Sequence, residues 1–227
     1  MTNKSCRIKA FLYEYRSGTL FLVFALLAMM FYELEGILVP RYWMVSPLDA
    51  HIPFLPVFVL PYLVWFPFIG VGLALLFFKD REAFVPTASL LCAGFAAALI
   101  IFILFPNGQH LRPRSAGAGP FAWLVQHLVY ANDTNTNCCP SLHVMNQVAV
   151  YTGLRRSCLV EERPRLQKVL LLLTILVCAS TVFIKQHSIE DVAIALILEY
   201  GLCRVFFPEP AAPVRAGVRR LTRVIEY

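Results

Sequence analysis

Three apolar runs, Leu20 to Val39, Phe54 to Phe78 and Thr87 to Phe105, are each long enough to cross a bilayer as a helix, which takes roughly 20 residues. In hydrocarbon every backbone N–H and C=O must be satisfied within the protein, so such runs fold as helices. Lys168 to Ile184 and Ile189 to Phe207 are slightly shorter or carry an acid, and still read as spans. Ser141 to Leu154 is too short alone. It becomes a sixth span only if it starts inside the protein and runs on toward Cys158. The chain is 59% apolar and 15% charged, against about half and a quarter in soluble domains. The expectation is an all-α integral membrane protein: about six helices in one bundle, one domain over residues 1–227, and no separate soluble unit.

Charge placement predicts an orientation. Lys4, Arg7, Lys9 and Arg16 precede the first run, and Lys79 and Arg81 follow the second. Arg155, Arg156, Arg163, Arg165 and Lys168 separate the fourth from the fifth, and Arg204, Arg215, Arg219, Arg220 and Arg223 close the chain. With six spans these share one side, which the positive-inside tendency makes cytoplasmic along with both termini. Arg41, Arg112, Arg114 and Lys185 fall on the other side. The net charge of +6 therefore reflects topology, and nucleic-acid binding is excluded. The first run lacks a small-residue cleavage pattern and is followed by Glu33 and Glu35, so it reads as a retained helix rather than a signal peptide. Within residues 1–17, Ile8, Phe11, Leu12 and Tyr15 recur at helical spacing and predict an amphipathic segment on the cytoplasmic leaflet. Residues 208–227 form a basic tail.

Between the runs, Pro40, Pro53, Pro56, Pro61 and Pro67 predict an irregular second helix. The longest loop, Pro106 to Pro140, holds a predicted short helix over Phe121 to Tyr130. Its apolar stripe (Trp123, Leu124, Leu128, Val129) packs over a site or lies in the lipid interface. Asn132 to Asn137 reads first as a turn, because Asn and Asp bond nearby backbone, and second as a set of headgroup contacts. Cys138 and Cys139 are adjacent, without metal spacing, and read as packing residues. Glu199, an acid within an apolar run, is expected to bond to another helix.

Two short stretches carry the chemistry. His187 and Asp191 are four apart at a helix start, so their side chains share a face. A carboxylate that takes the hydrogen bond of one imidazole nitrogen leaves the other free as a nucleophile. His143 opens a different helix on the same side and can supply a proton to a leaving group. Arg112, Arg114 and Lys185 lie nearby, as does the hydroxyl of Ser141, in the pattern that stabilises charge on a phosphate.

Pro140-Ser141-Leu142-His143, followed by His187 and Asp191, resembles the type-2 phosphatidic acid phosphatase (PAP2) superfamily, and Arg112-Pro113 is similar to the end of that family's first motif. Asp133 to His143 and Ser180 to Asp191 resemble its bacterial branch, which implies a bacterial cytoplasmic membrane with the site extracytoplasmic. The resemblance implies a phosphohydrolase without metal or other cofactor, acting on a lipid phosphate or diphosphate. In it His187 attacks phosphorus, Asp191 orients His187, and His143 serves as acid and then base. Arg112, Ser141, Lys185 and Arg114 would hold the phosphate. Three positions depart from the family pattern: Phe105 and Thr181 stand where cations are expected, and Leu142 replaces a glycine. The last change is shared with inositol phosphorylceramide synthases, so a headgroup phosphotransferase is the alternative, and a non-catalytic lipid-phosphate binder the second. Lys185 and Arg114 are the expected replacements for the missing cations.

Overall fold

The computed structural model describes residues 16–208; all but the last two residues of the predicted amphipathic segment and all but the first of the predicted basic tail lie outside them. The described residues are mostly helical. Helix α1 spans Thr19–Ile37, α2 Val59–Lys79 and α3 Arg81–Leu104. A short helix α4, Pro120–Leu124, runs into a wider turn over Val125–Val129, and α5 (Leu142–Arg156), α6 (Pro164–Phe183) and α7 (Ile189–Phe206) follow. Four helical stretches are long and apolar enough to cross a membrane: Arg16–Ile37, Pro56–Lys79, Arg81–Leu104 and Pro164–Phe183. The 15 residues of α5 reach only about 22 Å at 1.5 Å per residue, and α7 carries Glu190, Asp191, Glu199 and Arg204.

Helix α5 is the hub, packing on α2, α3, α6 and α7, whereas α1 lies chiefly along α3. Small residues set the crossings. A Cβ on Gly72 would stand 2.6 Å from Val150, and one on Gly153 would stand 1.9 Å from the Thr87 hydroxyl. The predicted irregularity of the second helix is confined to its start. Pro56 opens a 3-10 turn over Pro56–Phe58 and Pro61 falls in the first turn of α2, where the backbone N–H has no helical partner to lose. The helix then passes Pro67 without interruption.

The connections sort the molecule into two ends. At one, the Asp80 carboxylate caps α3 and accepts from the Ser157 hydroxyl (2.7 Å) and the Cys158 N–H (2.8 Å). At the other, strands β1 (Tyr42–Trp43) and β2 (Asn107–Gly108) pair in parallel and tie the loop after α1 to the loop after α3. The starts of α2, α5 and α7 converge on this second end.

Candidate active site

Buried amides fold the long loop onto the helix starts. Asn107 Oδ1 accepts from the N–H groups of Cys138 (3.0 Å) and Cys139 (2.8 Å), and its Nδ2 donates to the Cys139 carbonyl (2.8 Å). Gln109 Nε2 donates to the carbonyls of Lys185 (3.0 Å) and Gln186 (3.3 Å). Two polar residues of one loop, on either side of Gly108, thus clamp both motifs. Both thiols are buried as predicted for packing residues. Burial, with Asp191 nearby, pushes the Cys139 thiol up to about 12, so it stays protonated.

Ser188 caps α7. Its hydroxyl accepts from the Asp191 N–H, while Asp191 Oδ2 accepts from the Ser188 N–H at 2.9 Å, a reciprocal box that holds the carboxylate in one rotamer. The same Oδ2 lies 3.3 Å from His187 Nδ1. Nδ1 is therefore the donor in this contact, and Nε2 is the nitrogen turned away from the carboxylate. Nε2 is buried and has no protein partner. The His143 ring stands 5.7 Å from the His187 ring, centroid to centroid. Ser141 caps α5, its hydroxyl accepting from the Val144 N–H, and its own N–H donates to the Asp191 carbonyl. The three predicted chemical residues are together.

The predicted cations divide. Arg112 is at the site: it donates to Gln186 Oε1 (2.8 Å) and to the Thr134 carbonyl, and its guanidinium lies 4.5 Å from the Tyr130 ring centroid. Lys185 points elsewhere. Its ammonium donates to the carbonyls of Asp49 (2.9 Å) and Ile52 (2.6 Å), pinning the loop after α1. Arg114 borders a separate cavity with Gln126 and His127. Neither lines the cavity that the histidines face: Lys185 is held by the loop after α1, and Arg114 lines the cavity formed by its own loop. Thr181 uses its hydroxyl on its own helix, at the Cys178 carbonyl, and receives the His187 N–H on its backbone carbonyl.

Both histidines face a cavity of about 670 Å³. Asp133, Thr134, Asn137 and Gln186 are among its polar lining, and Phe24, Phe31 and Phe95, which pack together, are among its apolar lining. Of the predicted stripe, Leu128 and Val129 line this cavity, whereas Trp123 lines the Arg114 cavity. The Asn132 to Asn137 segment does more than turn. Asp133 Oδ2 accepts from Gln186 Nε2 and from the Tyr62 hydroxyl (3.3 Å), and the same hydroxyl lies 2.8 Å from His143 Nε2. Burial lifts the Asp133 carboxyl above its usual range, opposed by His187, Arg112 and these hydrogen bonds. Trp65 Nε1 donates to the His143 carbonyl at 3.0 Å. Tyr62, Trp65, Asp133 and Gln186 belong to the site and were not among the predicted residues. The helix bond expected of Glu199 is not made by its buried Oε1, which has no partner. Among the described residues no three His, Cys, Asp or Glu side chains gather closely enough to hold a metal ion.

Comparison of the chain with family models, with curated proteins and with solved structures gives no match.

Proposed function

We propose that this is a membrane phosphohydrolase of the PAP2 type, cleaving a lipid phosphate or diphosphate through a phosphohistidine. One observation carries the reading: His187 is held by Asp191 at Nδ1 with Nε2 buried and unpartnered, beside a second histidine, and Arg112 is bonded to the adjoining Gln186. In the first step the Nε2 lone pair attacks phosphorus, the P–O ester bond breaks, and His143 gives a proton to the departing oxygen. In the second, water attacks the phosphohistidine, His143 takes its proton, and inorganic phosphate leaves. Arg112 and the N–H groups at the start of α5 stabilise the phosphoryl oxygens. No metal enters either step. The aromatic lining of the cavity suits an acyl or prenyl chain. Two more crossings by α5 and α7, with cytoplasmic termini, place the site at the extracytoplasmic face, in the reading of a bacterial cytoplasmic membrane.

One observation favours a second reading. His187 is only 6% exposed and lies beneath the long loop, and excluding water protects a covalent intermediate for transfer to an alcohol. The test is phosphate release by purified protein in detergent with EDTA. Phosphatidic acid, phosphatidylglycerol phosphate and a polyprenyl diphosphate are the substrates, each with and without a lipid alcohol. Release by wild type and none by His187→Ala supports the hydrolase; a new phospholipid without release supports the transferase. Neither product from wild type, or equal products from the variant, overturns both.

A further inference from the structure

The mechanism asks His143 to give and take a proton, and the structure ties one of its two nitrogens. The Tyr62 hydroxyl sits between His143 Nε2 (2.8 Å) and Asp133 Oδ2 (3.3 Å). It has one proton, and the orientation of Gln186 decides where that proton goes. Gln186 Oε1 accepts from Arg112, so its Nε2 is turned to Asp133. With the Asp133 carboxyl ionised, Oδ2 can only accept, and the Tyr62 proton points at it. The phenol oxygen then offers a lone pair to His143, whose Nε2 must carry the hydrogen.

We infer that Asp133 and Tyr62 are positioning residues that fix the proton on His143 Nε2 and leave Nδ1 as the nitrogen that exchanges protons with substrate and water. The inference rests on the phosphohistidine reading for its chemistry, but not for its geometry. No protein group among the described residues bonds His143 Nδ1, whereas His187 is held at Nδ1 and open at Nε2. The two rings are thus prepared in opposite senses, one by a carboxylate directly and one by a carboxylate through a phenol. In the first step the Nδ1–H of the imidazolium goes to the leaving oxygen as the P–O bond breaks. In the second a water O–H returns its proton to Nδ1. The Nε2–H stays on Tyr62 throughout, so Asp133 balances the imidazolium charge without being protonated by it.

Two measurements test this. In ¹⁵N-histidine-labelled protein in detergent, His143, assigned by its loss in His143→Gln, should show an exchange-protected proton on Nε2. Tyr62→Phe and Asp133→Leu should each remove that protection. A proton found on Nδ1, no protected proton in wild type, or protection that survives Tyr62→Phe overturns the inference. This arm needs no turnover, so an inactive wild type would sink the phosphohydrolase reading and leave the positioning pair standing. In the second arm, Tyr62→Phe should slow phosphatidic acid hydrolysis about 100-fold, the scale of lost acid catalysis. It should slow p-nitrophenyl phosphate, whose leaving group needs no proton, by less than about 5-fold. Equal losses on both substrates would reduce Tyr62 to a packing residue.

Discussion

His187 is useful only in the state that Asp191 imposes, and the capping box makes that state also a property of α7. This separates two effects that one substitution would mix. Ser188→Ala removes a cap hydroxyl and should cost about 1 kcal/mol of stability while leaving the Asp191 carboxylate on Nδ1. Asp191→Asn should cost a similar amount of stability but lower turnover about 100-fold or more, because the imidazole loses its charged partner. Thermal unfolding and phosphate release, measured on both variants, decide the matter. Equal losses of turnover would show that the cap, not the charge, prepares the histidine. Asp133 yields a pH prediction of the opposite kind from a paired surface acid. Burial raises its pKa in the folded protein, so its contribution to stability is complete below the unfolded value of about 3.9. That contribution is lost as pH rises through the raised value. The unfolding temperature of wild type minus that of Asp133→Asn should therefore fall with rising pH above about 4; a constant or growing difference would contradict it. His143, His187 and Asp191 are readable from sequence because their relation is local or motif-like. Tyr62 and Gln186 meet Asp133 across separations of 71 and 53 residues, and nothing in a local pattern announces such a contact.

Apolar runs locate helices well because each must bury its own backbone polarity: the observed bounds of α1 and α7 follow the predicted runs closely, and α2, α3 and α6 overlap theirs with starts shifted by about a turn or more. What runs cannot convey is which helix stands in the middle. The short α5 was the weakest as a span, yet the others pack around it, with Asn146 and Gln147 buried on its surface. Its central place depends on close approach to α3, where Gly153 lies against Thr87, and to α2, where Gly72 lies against Val150. Gly153→Ala should cost about 1–3 kcal/mol by overpacking, since the displaced neighbour is a buried threonine bonded to the Ala83 carbonyl. Gly70→Ala, on the same helix as Gly72 with open space around it, should be neutral or slightly stabilising. Unfolding of both in one detergent checks the pair, and a neutral Gly153→Ala would mean the α3–α5 crossing relaxes more than its packing implies.

The two ends of the molecule differ in charge as well as in chemistry. Lys79, Arg81, Arg155, Arg156, Arg163, Arg165 and Lys168 gather where Asp80 joins α3 to Ser157, while the site end keeps Arg41, Arg112, Arg114 and Lys185. Two of the latter four are held by Gln186 and by loop carbonyls. The positive-inside tendency predicts that the crowded end is cytoplasmic and that the histidines face outward. Native thiols make this testable, because Cys158 is exposed at the basic end whereas Cys138 and Cys139 are buried at the other. In a Cys6→Ser background, a membrane-impermeant maleimide added to intact cells should leave Cys158 unlabelled and label it after permeabilisation. Trp123→Cys, at a side chain that is 59% exposed near the site end, should label without permeabilisation. The reverse pattern would put the phosphate chemistry on the cytoplasmic leaflet. Equal access to both positions from one side would remove the crossing proposed for α5, the helix that lies between residues 123 and 158, since an even number of spans between them would then be required.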